Sequence, residues 1–215
     1  MFRRALISIA IARNNNKRVE ALVSNGYLKS RSYFRGTPLF LRDAVANLKV
    51  DLASILLEAG HPLTLSGASL TSFENPSLLY ALISSARKDI DSALMILELL
   101  SKHGLSFNGI IKDDRDGRTP LMFASGKDNL ERLITRMIQL GANPNERDAN
   151  GKTALFYCIN STEHVEALID AGADPYIQDE MGDTAEQSAL LRQNISGMLY
   201  HNTYITELIA CRKNR

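Results

Sequence analysis

Apolar residues recur along this chain at helical spacing, in short runs that come in pairs, and the second run of each pair ends in glycine. VEALVSNG (19–26) and LKVDLASILLEAG (48–60) have this form, as does the stretch carrying Leu94, Leu97 and Leu100 to His103-Gly104. Polar links separate the paired runs: Arg13-Asn14-Asn15-Asn16-Lys17 in the first pair, and Arg87, Lys88, Asp89 and Asp91 in a later one. The pattern predicts successive two-helix units, with Leu6, Ile9 and Ala10 on the first helix of all. Ile205, Leu208 and Ile209 form the inward face of a last one over Tyr204–Arg212. Ala185–Arg192 reads as the first helix of that closing pair.

Between Asp114 and Asp179 a single phrase is spoken twice. Asp-x-x-Gly-x-Thr stands at Asp114, Gly117 and Thr119, and again at Asp148, Gly151 and Thr153. Two apolar helical stretches follow each time, and then Gly-Ala-Asn/Asp-Pro, at Gly141–Pro144 and Gly172–Pro175. Asp179, Gly182 and Thr184 open a further copy. Gly117 and Gly151 lie 34 residues apart, and Gly151 and Gly182 lie 31 apart, the spacing of a helix-pair repeat. Each residue type has a physical task. Thr119 and Thr153 are placed to cap a first helix, and Pro120 suits the first helical position. Gly141 and Gly172 follow a second helix where the chain turns left-handed, and Gly117, Gly151 and Gly182 suit a tight hairpin tip.

These residues resemble ankyrin repeats. The resemblance implies an all-α solenoid of stacked helix-turn-helix units with short hairpin fingers and atypical terminal caps. It extends to Gly36-Thr37-Pro38-Leu39, because Gly36 precedes Gly60 by 24 residues, as Gly117 precedes Gly141. One domain over 1–215 is expected, with approximate units 1–26 (cap), 27–60, 61–104, 105–141, 142–172 and 173–215 (cap). The unit 61–104 is the least regular: Ser77 is its expected first-helix cap, and the extra residues fall in the Ser-, Thr- and Gly-rich loop from His61 to Asn75. The next repeat but one is short between its helices, around Asn160-Ser161-Thr162. Met122 and Phe156 replace the histidine usual after Thr-Pro-Leu in the family, which implies the loss of a polar contact between repeats.

Charge changes this picture little. The net charge is +1, so no bulk pull toward nucleic acid or membrane arises, and basic residues do not gather on one face. Two cysteines, Cys158 and Cys211, lack partners at metal-like spacing, and Cys158 reads as a space-filler in an apolar helix. Met1-Phe2-Arg3-Arg4 before ALISIAIA has two readings, a short signal peptide and the first helix of the capping repeat. No apolar run reaches membrane-spanning length.

The sequence holds no phosphate loop, no nucleophile motif and no paired metal ligands. His61, His103, His164 and His201 are scattered along the chain, and no catalytic residue, cofactor or metal is expected. Phe123 and Tyr157, with Tyr80 near the equivalent position, read as packing between repeats rather than a binding stripe. By the ankyrin resemblance, partners dock on the concave surface of fingers and first helices. The expected protein-binding residues are therefore Asp113, Arg115, Asp116 and Arg118 in one finger, and Arg147, Asn150 and Lys152 in the next. Gln178, Glu180, Met181 and Asp183 follow in the last finger, with Lys127 at an inter-helix end. This strip runs from mixed-basic to acidic, which favours a partner with patterned charge.

The expected function is a non-catalytic, monomeric, cytoplasmic interaction module with a protein partner. The alternative is the recognition domain of a larger bacterial effector, secreted into a host cell. Irregular repeats, abundant Asn and Ile and no tryptophan resemble the ankyrin portion of OspC-type type III effectors, which carry an ADP-ribosyl-transferase-like domain upstream.

Overall fold

The structure is a computed structural model that describes residues 15–25, 39–60, 75–109, 116–158 and 161–188, with the single residues 10 and 63. The chain divides into two compact units, Met1–Leu105 and Ser106–Arg215. Their boundary falls one residue from the expected repeat border at Gly104.

The N-terminal unit contains α1 (Asn16–Ser24), α2 (Leu39–Ala46), α3 (Val50–Glu58), α4 (Asn75–Ala86) and α5 (Ile90–Lys102). Its helices form two rows. The first helices α2 and α4 pack on each other, and the second helices α1, α3 and α5 pack in sequence beside them. The buried faces follow from the spacing of apolar positions. Leu52, Ala53, Leu56 and Leu57 point inward from α3, and Ala93, Ile96, Leu97 and Leu100 from α5. Leu94, expected on that face, is only half-buried because it lies beside the stripe rather than on it.

Helix ends in this unit refine the sequence expectations. Asn16 and Lys17 belong to α1 rather than to a break, because Asn15 accepts the Arg18 N–H through Oδ1 at 3.1 Å and starts the helix there. Ser77 lies in the first turn of α4, not at its cap, since the helix begins at Asn75. Asp89 caps α5, accepting from the Ser92 N–H at 3.1 Å and its hydroxyl at 2.6 Å. Those two bonds hold its carboxyl below the usual carboxylate range. Leu48 has φ of 54° in the turn before α3, a conformation that L residues with large side chains rarely adopt.

The C-terminal unit contains α6 (Pro120–Ser125), α7 (Glu131–Gln139), a 3₁₀ turn (Ala154–Phe156) and α8 (Thr162–Asp170), and is helical again at 185–188. The two-row plan recurs: α6 packs on the 3₁₀ turn, α7 on α8, and each first element on its own second helix. Thr119 caps α6 by accepting the Met122 N–H at 3.3 Å, while the Met122 sulfur accepts the Thr119 N–H at 3.4 Å. Pro120 occupies the first turn, as expected.

Thr153 departs from its expected role. It makes no side-chain cap bond, and its buried hydroxyl has no partner among the described residues. The cause is length: eleven residues separate Pro120 from Glu131, but only eight separate Ala154 from Thr162. The missing three residues are nearly one helical turn, so the first helix shrinks to a 3₁₀ turn. Cys158 consequently lies beyond that turn rather than within a helix. Ser161 then caps α8, accepting the His164 N–H at 3.3 Å. Calls on residues 1–9, 11–14, 26–38, 61–62, 64–74, 110–115, 159–160 and 189–215 lie outside the described residues, among them Arg13-Asn14, Gly36-Thr37-Pro38-Leu39 in its first three positions, His61, Asp114, and the last helix.

The repeat glycines divide by what surrounds them. Gly141 has φ of 104°, and a Cβ there would meet open space. Gly151 has φ of 76°, and a Cβ there would stand 3.0 Å from the Glu180 nitrogen and 3.2 Å from the Asp179 carbonyl carbon, which belong to the next finger. Gly141→Ala is expected to cost the left-handed penalty alone, about 1–2 kcal/mol. Gly151→Ala should cost more, because the adjoining finger must also move. Urea unfolding of the two variants checks the order; equal losses would show that the fingers do not press on each other.

Candidate functional site

The expected binding residues within the described part of the chain all belong to the C-terminal unit. Asp113 and Arg115 lie outside the described residues. The others sit on three hairpin tips and at the end of α6, and the tips are built from the same few bonds.

Each complete tip turns on its aspartate. Asp148 Oδ1 accepts the N–H groups of Asn150 (2.8 Å) and Lys152 (2.9 Å), and the Asp148 N–H donates to the Lys152 carbonyl. Asp179 repeats this with Met181 (2.9 Å) and Asp183 (3.1 Å). Both aspartates are buried, and both hold their turns in the same way. Neighbouring tips are laced by backbone bonds: Ala149 N–H donates to the Asp116 carbonyl at 2.8 Å, and Glu180 N–H to the Asn150 carbonyl at 3.0 Å.

Two expected binding residues have structural tasks in this lacing. Arg147 donates from Nε to the Gly151 carbonyl in its own finger and from a terminal nitrogen to the Gln178 carbonyl in the next, at 3.1 and 3.0 Å. Lys152 Nζ stands 4.0 Å from the buried Asp179 carboxylate. By contrast, the side chains of Asp116, Lys127, Asn150, Gln178, Glu180 and Met181 are exposed, and those of Arg118 and Asp183 half-buried.

Phe123 and Tyr157 are half-buried rather than core. The core positions are taken by their neighbours Leu121, Met122 and Ala124, and Leu155 and Phe156. Cations lie over both rings: Lys127 Nζ is 4.9 Å from the centre of Phe123, and the Arg118 guanidinium carbon is 5.6 Å from that of Tyr157. The Tyr157 hydroxyl donates to Asp148 Oδ2, tying the first-helix surface to the finger. Burial, and then the Asp148 carboxylate, push the Tyr157 phenol well above its ordinary value. In unit 1, Tyr80 is 42% exposed.

His164 is the residue that sequence reasoning passed over. It is 1% exposed and takes the third position of α8, where α3 has Leu52 and α7 has Leu133. The Leu130 N–H donates to its Nε2 at 3.3 Å, which leaves Nδ1 to carry the proton and donate to the Ser125 carbonyl at 3.2 Å. The Glu131 carboxylate stands 3.4 Å from Nε2. The polar contact whose loss Met122 and Phe156 implied is thus supplied from a second helix. Its signal was in the sequence: His164 follows the Ser161 cap by three and shares a helical face with Leu168.

A second bracket joins repeats through asparagine. Asn108 donates to the Gly141 carbonyl at 3.0 Å and accepts the Asn143 N–H at 2.9 Å. Asn145 does the same to Gly172 (3.0 Å) and Asp174 (2.7 Å). Three devices therefore tie consecutive helix pairs: laced fingertips, asparagine brackets and a buried histidine. The first two recur from one repeat to the next, and comparison with known proteins agrees: the family model described as Ankyrin repeats (3 copies) matches residues 44–179, more than half of the chain.

The chain belongs to the ankyrin-repeat family.

Ankyrin repeat and SOCS box protein 6 of Homo sapiens is 31% identical over 156 residues, covering 67% of this chain and 35% of its own length. The protein of the same name from Pongo abelii matches equally. An ankyrin repeat-containing protein of Treponema pallidum is 32% identical over 163 residues, covering 73% of this chain and 50% of its own. The chain spans about a third of the first two relatives. Ankyrin repeats generally mediate protein–protein interaction, and family members are typically non-catalytic. Among the described residues no three His, Cys, Asp or Glu side chains converge as a metal site, and no helix is long and apolar enough to cross a membrane. Burial pushes the Cys158 thiol far up, away from the reactive thiolate.

Two measurements probe these contacts. His164→Leu supplies the residue of the equivalent helices but orphans the Leu130 N–H and the Ser125 carbonyl. A loss of about 1–3 kcal/mol is expected by chemical denaturation, and wild-type stability would show the ring's bonds to be idle. Because the folded Tyr157 phenol titrates above the unfolded one, its contribution is whole below about pH 10 and is lost as pH rises past it. Tyr157→Phe should therefore flatten part of the alkaline decline in stability; an unchanged slope would contradict the assignment.

Proposed function

We propose that this ankyrin-repeat chain is a non-catalytic module that binds a partner protein through its fingers and first-helix surface, the concave side in arrays of this family. The observation that carries the reading is the pairing of Phe123 with Lys127 and of Tyr157 with Arg118 at a half-exposed surface beside the fingers. Aromatic rings and arginine are the side chains that contribute most per residue at protein interfaces. The first two fingertips are joined to their neighbours by backbone bonds, and the exposed Asn150 and Glu180 side chains face outward toward a partner.

Arg147 and Lys152 are poor probes of this surface, since reversing their charge would disturb the lacing as well as any interface. Arg118 and Lys127 are better ones. Affinity capture from the native cell is expected to lose its specific partner when Lys127→Glu and Arg118→Glu are combined, with folding verified by circular dichroism. An identical set of captured proteins would overturn the use of this surface.

A further inference from the structure

The lacing of the C-terminal unit has a direction, and among the described residues it ends at the last finger. From the repeat that ends at Gly172, Asn145 brackets Gly172 and Asp174, Arg147 reaches the Gln178 carbonyl, and Lys152 approaches Asp179. The Asn150 carbonyl receives the Glu180 N–H. Thirty-one residues further along, the same four positions hold Tyr176, Gln178, Asp183 and Met181. The bracketing amide has become an aromatic ring, the reaching guanidinium a shorter neutral side chain, and the ammonium a carboxylate. The residues that would receive another repeat of this kind have been replaced.

What stands there instead is an open edge of distinct chemistry. Met181 corresponds to Asp116 and Asn150, whose carbonyls accept from the following finger, but among the described residues no N–H reaches the Met181 carbonyl. Its side chain is 85% exposed, and that of Tyr176 is 51% exposed. Gln178 and Thr184 form an antiparallel bridge across the finger's base, so the two arms are held together below the turn. From Asp174 to Ser188 the chain carries Asp174, Asp179, Glu180, Asp183 and Glu186 and no Lys, Arg or His.

We propose that this last finger is a docking edge for an extended segment of a partner protein that bears basic and apolar side chains. The segment continues the lacing by donating a backbone N–H to the Met181 carbonyl, as Ala149 and Glu180 do to the fingers before them. Its apolar side chains cover Met181, and its cations face Glu180 and Asp183. The proposal rests on the interaction-module reading and assigns the partner's chemistry at one finger.

The test uses the full chain and a fluorescent peptide of alternating Arg and Leu, with a Glu and Leu counterpart as control, read by anisotropy. The basic peptide is expected to bind, and Met181→Asp and Glu180→Lys are each expected to weaken it at least fivefold. Both positions are exposed, and circular dichroism verifies the fold. Asp128→Lys, a charge reversal at an exposed position after α6, should leave the affinity unchanged. Equal binding by wild type and both finger variants would overturn the docking edge. Binding lost only in Lys127→Glu would do so while leaving the interaction-module reading intact. Self-association abolished by Met181→Asp would instead assign the edge to a second copy of this chain, and tighter peptide binding after removal of 189–215 would assign it to the chain's own end. Either result overturns the partner assignment.

Discussion

The backbone bond from one fingertip to the next is the constraint on which the C-terminal unit depends. An ankyrin helix pair has too little apolar surface to fold alone and buries its inner side only against its neighbours. That burial is non-directional and would tolerate sliding. The Ala149 N–H on the Asp116 carbonyl and the Glu180 N–H on the Asn150 carbonyl set the register of one repeat on another. The aspartate and the glycine of the tip phrase serve those bonds. The aspartate carboxylate shapes the turn, and the glycine at 151 lets the next finger approach to a distance no side chain would allow.

Polar contacts at the far ends of the first helices do similar work. The Ser125 carbonyl, at the end of α6, receives the His164 ring, and in the N-terminal unit the Ala46 carbonyl, at the end of α2, receives the Ser85 hydroxyl at 2.6 Å. In both cases a helix-terminal carbonyl that lacks an intrahelical partner is satisfied by a side chain 39 residues later. A buried polar pair is costly when half-made, so such contacts penalise misalignment more than they add stability. This explains how His164 can occupy a position that holds leucine in α3 and α7.

The parts of this architecture that were legible in the sequence are those with a local cause. Glycines after second helices, and Thr119 and Pro120 at a helix start, act within a few residues of themselves, and the structure shows each in that role. Residues that act across repeats were harder to read. Arg147 and Lys152 were read as protein-binding residues, yet their ends meet the next finger; Asn108 and Asn145 carried no signal without knowing what lies beside them. Thr153 failed as a cap because three residues are missing eight positions on, a length effect that a local motif does not register. Phe123 and Tyr157 were assigned to packing by type, whereas their places on the short first elements leave them half-exposed under Lys127 and Arg118.

The central claim is that the lacing of fingertips is part of the folded unit and not a surface ornament. Native-state hydrogen exchange of the Ala149 and Glu180 amides tests it most directly. Both belong to exposed residues at hairpin tips, where unbonded amides exchange at nearly the rate of an unfolded chain. The account predicts protection in both, with an opening free energy that matches the amides of Ile134 and Leu168 in the second helices. Exchange at the unprotected rate, while those helix amides stay protected, would contradict it.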